Sequence, residues 1–108
     1  MKRPKYGNTK TTVDGIKFDS KLEAMRYGEL KIMLRAGLIT DLELQKVFVV
    51  IDKQVGERAT KYLADFTYRD EQGLTVVEDC KGVKTPEYVI KRKLMLKEFG
   101  LKIREIYQ

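Results

Sequence analysis

The sequence predicts an α/β domain in which a mixed β-sheet is flanked by helices, the elements running helix, three strands, helix, strand. Two segments of good helix formers, each opened by a hydroxyl residue suited to N-capping and closed by a glycine, bracket a β-branched and aromatic stretch. Turn sequences divide that stretch into three pieces of strand length. A helix crossing over between the third and fourth strands makes them candidates for parallel neighbours, while the first three can form an antiparallel meander.

Residues 1–19 contain Pro4, Gly7, Asn8 and Asp14-Gly15 and read as a basic N-terminal arm ending in a turn. That turn could close a short hairpin between Thr11–Val13 and Ile16–Phe18. Residues 20–108 are the expected domain. Ser20 is placed to cap a helix over 20–36, and Gly37 to stop it. Leu42 to Ile51 includes the unbroken apolar run VFVVI, which favours a buried strand. A loop over Gln54–Thr60 follows, then strands at Lys61–Arg69 and Leu74–Lys81 joined by the turn Asp70-Glu71-Gln72-Gly73. Thr85 caps a second helix with Pro86 in its first position; it runs to Phe99 and stops at Gly100, before the strand-like LKIREIY.

A chain of 108 residues suits one core and not two. No apolar run approaches the roughly 20 residues needed to cross a bilayer, so membrane association is not expected. The basic start, MKRPKYGNTK, has no apolar segment after it and does not read as a secretory signal, so the expected location is the cytoplasm. The single cysteine, Cys80, and the lack of histidine exclude an internal disulfide, a Cys/His zinc site and every His-based catalytic arrangement. Catalysis, if present, must use carboxylates, lysines, tyrosines or a metal held by oxygen. The net charge of +6 is unevenly placed: five basic and two acidic residues in 1–19, eight and three in 81–108, but five basic and nine acidic in 40–80. Basic flanks around an acidic middle suit a polyanion-binding protein with a concentrated carboxylate site, although the same charges would also keep a small domain soluble.

Within that acidic middle, Asp65 lies among apolar neighbours, where an ionised carboxylate needs compensation, and a cation is one form of it. Asp79 and Lys81, two apart on the third strand, project from one face, while Glu78 and Cys80 project from the other. The hairpin can bring Asp65 across from Asp79. Mg²⁺ takes one or two carboxylates with waters and phosphate oxygens, so Asp65, Asp79 and the Cys80 carbonyl would meet its needs, with Lys81 beside them. The same spacing also suits a plain ion pair at a strand end, with Asp65 facing solvent at an edge. Glu23 likewise has two readings: the partner of Ser20 in a capping box, or a carboxylate sharing the inward arc of Tyr27, Leu30 and Leu34 that reaches a metal. Lys84, Lys91, Arg92, Lys93 and Lys97 could grip phosphates, extended by Lys5 and Lys10 from the arm, or form a solvated basic face. The apolar positions of the second helix read as core, and Tyr6, Tyr62 and Tyr68 could stack on bases.

With VDGIKFDSKLEAMRYGEL, LADFTY and VVEDCKG in view, the chain resembles the PD-(D/E)XK nuclease superfamily, in particular a small phage-encoded branch. The resemblance covers nearly the whole chain. It implies a restriction-endonuclease-like core, a signature aspartate at Asp65, the acid-x-lysine set at Asp79-Cys80-Lys81, and a helix-borne glutamate at Glu23. Ala64 stands where the superfamily's name has proline, and Glu78 could substitute for Asp79 if the register differed by one. The implied activity is Mg²⁺- or Mn²⁺-dependent endonucleolytic hydrolysis of DNA, including branched DNA, in phage replication, recombination or processing within a bacterial host. Metal would be held by Asp65, Asp79, Cys80 and Glu23. Cleavage of a four-way junction would need two sites and hence a homodimer, which no sequence feature establishes. The alternative is a non-catalytic nucleic-acid-binding accessory protein that retains the fold.

Overall fold

The computed structural model describes residues 10–108. A hairpin of β1 (Thr11–Val13) and β2 (Ile16–Phe18) leads into α1 (Lys21–Arg35). There follow β3 (Thr40–Ile51), β4 (Thr60–Arg69), β5 (Thr75–Cys80), α2 (Pro86–Phe99) and β6 (Arg104–Ile106). The larger sheet has the order β3-β4-β5-β6, with β3–β4 and β4–β5 antiparallel and β5–β6 parallel. The chain is therefore an α/β protein with a mixed four-stranded sheet and two helices. Among the described residues, no helix is long and apolar enough to cross a membrane.

Local chemistry explains the element boundaries. Ser20 Oγ accepts the Glu23 amide at 3.1 Å and Thr85 Oγ1 accepts the Tyr88 amide at 3.1 Å, satisfying N–H groups that an α-helix leaves unpaired. Gly100 ends α2 in the left-handed region (φ 67) and donates its amide to the Leu96 carbonyl at 3.0 Å. Asp14 (φ 52) and Gly15 (φ 75) are both left-handed, as a two-residue hairpin turn requires.

The two helices cover opposite faces of the sheet. Val77 of β5 packs in a cluster with Tyr88 and Met95 of α2, whereas its neighbour Val76 packs with Ala24, Tyr27 and Leu30 of α1. The hairpin belongs to the α1 side: Phe18 is buried, its ring 5.1 Å from that of Tyr27 and 6.5 Å from that of Phe66. A boundary after residue 19 thus separates Phe18 from the core that it fills.

One rung of the sheet is special. Leu42 and Leu44 of β3, with Phe66 and Tyr68 of β4, pack on the α1 side. Phe48 and Val50, with Tyr62 and Ala64, pack on the α2 side, although strict alternation would keep all of these residues on one face. Both strands change face at the rung of Gln45 and Asp65, where Gln45 adopts φ 53. Beyond it α2 covers one face of β3 only, which corrects the expectation that VFVVI is wholly buried: Phe48 and Val50 are buried, but Val47, Val49 and Ile51 are exposed. On α2 itself, Tyr88 and Met95 are buried while Ile90, Leu96 and Phe99 stay exposed, so its core stripe is narrower than its apolar content suggests.

Candidate active site

The special rung is also where chemistry gathers. The β4–β5 ladder runs from Arg69↔Thr75 to Phe66↔Glu78. One residue further along, the Asp65 carboxylate replaces main chain as the acceptor: Cys80 N–H donates to its Oδ2 at 2.7 Å. Gln45 Nε2 donates to the other oxygen at 3.4 Å. Asp65 is therefore a half-buried residue on an inner strand, not the solvent-facing edge carboxylate of the bland reading.

Strand parity puts Asp79 and Lys81 together toward α2. Asp79 is 6% exposed, and its two oxygens are taken by Lys81 Nζ at 2.6 Å and the Tyr62 hydroxyl at 2.6 Å. The Lys81 ammonium in turn lies over the Tyr88 ring, 3.5 Å from its centroid. Its backbone is pinned by a 2.9 Å bond from Lys81 N–H to the Ile106 carbonyl, which extends the parallel pairing with β6.

Glu23 approaches from the first turn of α1, sharing the lining of one cleft with Cys80 and Lys81. Its amide completes the Ser20 cap, and its carboxyl is half-buried. Burial, together with the nearby charges of Asp65, Asp19 and Asp79, pushes its pKa up to about 7, with Lys81 opposing. Burial and the Asp79 charge push Asp65 up to about 6 against the lowering effect of the Cys80 amide and Gln45. The Cys80 thiol is held protonated by burial and the surrounding carboxylates. A cleft of about 340 Å³ opens between the starts of both helices, and Ser20, Glu23, Cys80, Lys81 and Thr85 line it, whereas Asp65 and Asp79 do not.

Glu78 does not stand in for Asp79. It is fully buried on the opposite face, held by Arg26 Nε at 2.8 Å and a second guanidinium nitrogen at 2.7 Å, and by the Tyr68 hydroxyl. These bonds raise the Arg26 pKa, and burial pushes the Tyr68 phenol up to about 12. Tyr62 and Tyr68, offered by the sequence as base-stacking platforms, are instead buried with their hydroxyls committed to Asp79 and Glu78.

The basic residues divide. Lys84 Nζ at 3.1 Å and Arg92 at 3.0 Å both engage Glu105, which also accepts the hydroxyls of Tyr88 at 2.7 Å and Tyr107 at 2.9 Å. Burial raises the Glu105 carboxyl, but these four donors outweigh it and bring it down to about 2. Lys91 pairs with Glu87 one turn earlier, at 2.9 Å. Lys93, Lys97 and Lys10 are exposed. Lys5 and Tyr6 lie outside the described residues. Gln45, Tyr62, Tyr88 and Glu105 were not expected at the site. Nothing in their spacing announces them, because each meets its partner across strands or between sheet and helix.

No curated protein and no solved structure matches this chain. A family model does match over residues 3–107, nearly the full length, and the chain accordingly belongs to the family described as "Protein of unknown function (DUF1064)".

Proposed function

We propose that this protein is a metal-dependent nuclease with a restriction-endonuclease-like core, acting on the phosphodiester backbone of DNA in phage DNA processing. One observation carries the reading: Lys81 and Asp79 form a 2.6 Å ion pair at a strand end, and the Asp79 charge, with that of Asp65 on Glu23, helps raise the pKa values of Asp65 on the neighbouring strand and of Glu23 on α1. Such like-charge crowding is costly for stability alone and is relieved by a cation. The donors are all oxygen, suited to Mg²⁺ or Mn²⁺. Among the described residues, no three acidic or sulfur side chains already stand as a ready-made ligand cluster. An ion here would be held directly by two carboxylates at most, Asp65 and Asp79, with the Cys80 carbonyl and water, and with Glu23 acting through water.

A divalent ion held there would supply Lewis-acid activation of water and charge neutralisation at the phosphodiester. The chain's own groups do the rest. Asp65 is oriented by the Cys80 amide, and Asp79 by the Tyr62 hydroxyl. Lys81, paired with Asp79 and only 13% exposed in its side chain, would hold charge on the reacting phosphate. Glu23 lines the mouth of the cleft beside Cys80 and Lys81, where its carboxyl would orient water.

The test is a cleavage panel of supercoiled, linear, single-stranded and four-way-junction DNA with Mg²⁺, Mn²⁺ or chelator. Metal-dependent cutting is expected, and Asp65→Asn, Asp79→Asn and Lys81→Ala should each lower it by roughly a hundredfold or more. Cutting that persists unchanged in these variants would sink the assignment. Binding without cutting would support a non-catalytic DNA-binding accessory role, which the closed contact of Asp79 with Lys81 and Tyr62 favours. Preference for the junction would call for a paired site, checked by sedimentation of the protein alone.

A further inference from the structure

The amine that the proposed chemistry depends on has an unusual seat. A lysine on a short strand end has four rotatable bonds, and an acid neighbour fixes only the distance to one oxygen. Here a second restraint acts from below. The Lys81 ammonium stands 3.5 Å from the centroid of the Tyr88 ring, much nearer than other cations over rings among the described residues: Lys84 over Tyr107 and Lys46 over Phe48 are each at 5.6 Å. Tyr88 is itself 7% exposed and cannot swing away. Its amide is held by the Thr85 cap, and its hydroxyl donates to Glu105 at 2.7 Å. Glu105 is in turn clamped by Arg92, Lys84 and Tyr107. Donation of the phenolic proton to an anion also enriches the ring in electron density, which strengthens its hold on a cation. Across the site, the Tyr62 hydroxyl fixes the other oxygen of Asp79, and the rings of Tyr62 and Tyr88 lie 6.5 Å apart.

We propose that Tyr88 is the positioning residue for Lys81: its ring face seats the ammonium, and its bond to Glu105 holds the ring in place. This deepens the nuclease reading and rests on it. Tyr88 touches neither metal nor phosphate. Its effect is to keep the amine at one place beside Asp79 while the ligands around it exchange, so that Lys81 stays within reach of the phosphate instead of swinging out into solvent.

Two measurements test this. The first needs no activity: in carbon–proton correlation NMR of the full chain, the Lys81 ε-methylene protons should lie upfield of the other lysines because the ammonium they adjoin stands over a ring face. Lys81→Arg identifies the signal by its disappearance. Tyr88→Phe should keep the upfield shift and Tyr88→Leu should abolish it. The second is steady-state cleavage with Mg²⁺. Tyr88→Leu should lower kcat on the order of tenfold with KM for DNA within about twofold, and Tyr88→Phe should recover most of that loss. If Tyr88→Leu fails to fold, Tyr88→Met fills the same space without a ring and takes its place. A Lys81 signal at the ordinary lysine position, or a Tyr88→Leu protein that cuts like wild type, overturns the proposal. A wild-type protein with no metal-dependent cleavage overturns the nuclease reading and, with it, the role assigned to Tyr88. Wild-type cutting with unchanged kcat in the ring-less variants removes only the latter.

Discussion

Arg26→Met should be among the most damaging single substitutions in the domain although it lies on the face away from the proposed chemistry. Glu78 is 0% exposed, and Arg26 meets both of its oxygens, at 2.7 and 2.8 Å. Without the guanidinium, Glu78 keeps the Tyr68 hydroxyl and, at 4.0 Å, Arg104, whose side chain is 60% exposed and screened by water. Removing one partner from a buried pair strands the other, at a cost of about 3–5 kcal/mol. Against a total stability of roughly 5–15 kcal/mol this is a large share. With a urea slope of about 1–3 kcal/mol per molar, the unfolding midpoint should fall by roughly 2 M. The double variant Arg26→Met/Glu78→Leu removes both charges and should regain most of the loss. Urea unfolding followed by circular dichroism measures all three proteins. A midpoint for Arg26→Met within about 0.5 M of wild type, or a double variant no better than the single one, would refute the argument that this pair is a buried and mutually dependent unit. If the proposed nuclease role holds, Glu78→Gln should lose stability but, in the fraction that stays folded, retain metal-dependent cleavage where Asp79→Asn loses it, which separates the structural acid from the proposed catalytic one.

The clamp on Glu105 sets a pH signature. Because its folded pKa lies near 2 against an ordinary value of 4.5, its contribution is fully present above about pH 5 and fades as pH falls toward 2. Glu105→Gln should be less stable than wild type by roughly 1 kcal/mol at pH 7, allowing for solvent screening, and the gap should close in acid. A gap constant from pH 7 to 2.5 in thermal melts would count against the carboxylate as its source. At the end of α2, Gly100→Ala forces a side chain into φ 67 and should cost about 1 kcal/mol, read as a fall of several degrees in the melting temperature. An unchanged melting temperature would show that the left-handed cap contributes nothing.

The backbone plan was open to reading because its signals are local. Caps at Ser20 and Thr85, stops at Gly37 and Gly100 and the Asp14-Gly15 turn act within a few residues of themselves, and they recur in the structure at the positions expected. The order of elements followed from them, and with it the mixed sheet. Burial along VFVVI was read less well, because whether both faces of a strand are covered depends on where a distant helix lies. Alternation alone separated Asp79 and Lys81 from Glu78 and Cys80, but could not show that Glu78 has its own buried arginine.

The sequence by itself thus determined the elements, their order and the pairing of an acid with an amine two residues apart, since each rests on contacts between near neighbours or on strand geometry. Only the tertiary structure decided what surrounds that pair. The face change at Gln45 and Asp65, the Tyr62 hydroxyl on Asp79, the Tyr88 ring under Lys81 and the approach of Glu23 all join segments far apart in the chain. The physical reason is that packing, not propensity, chooses which side chains meet across a sheet and how much solvent remains between them.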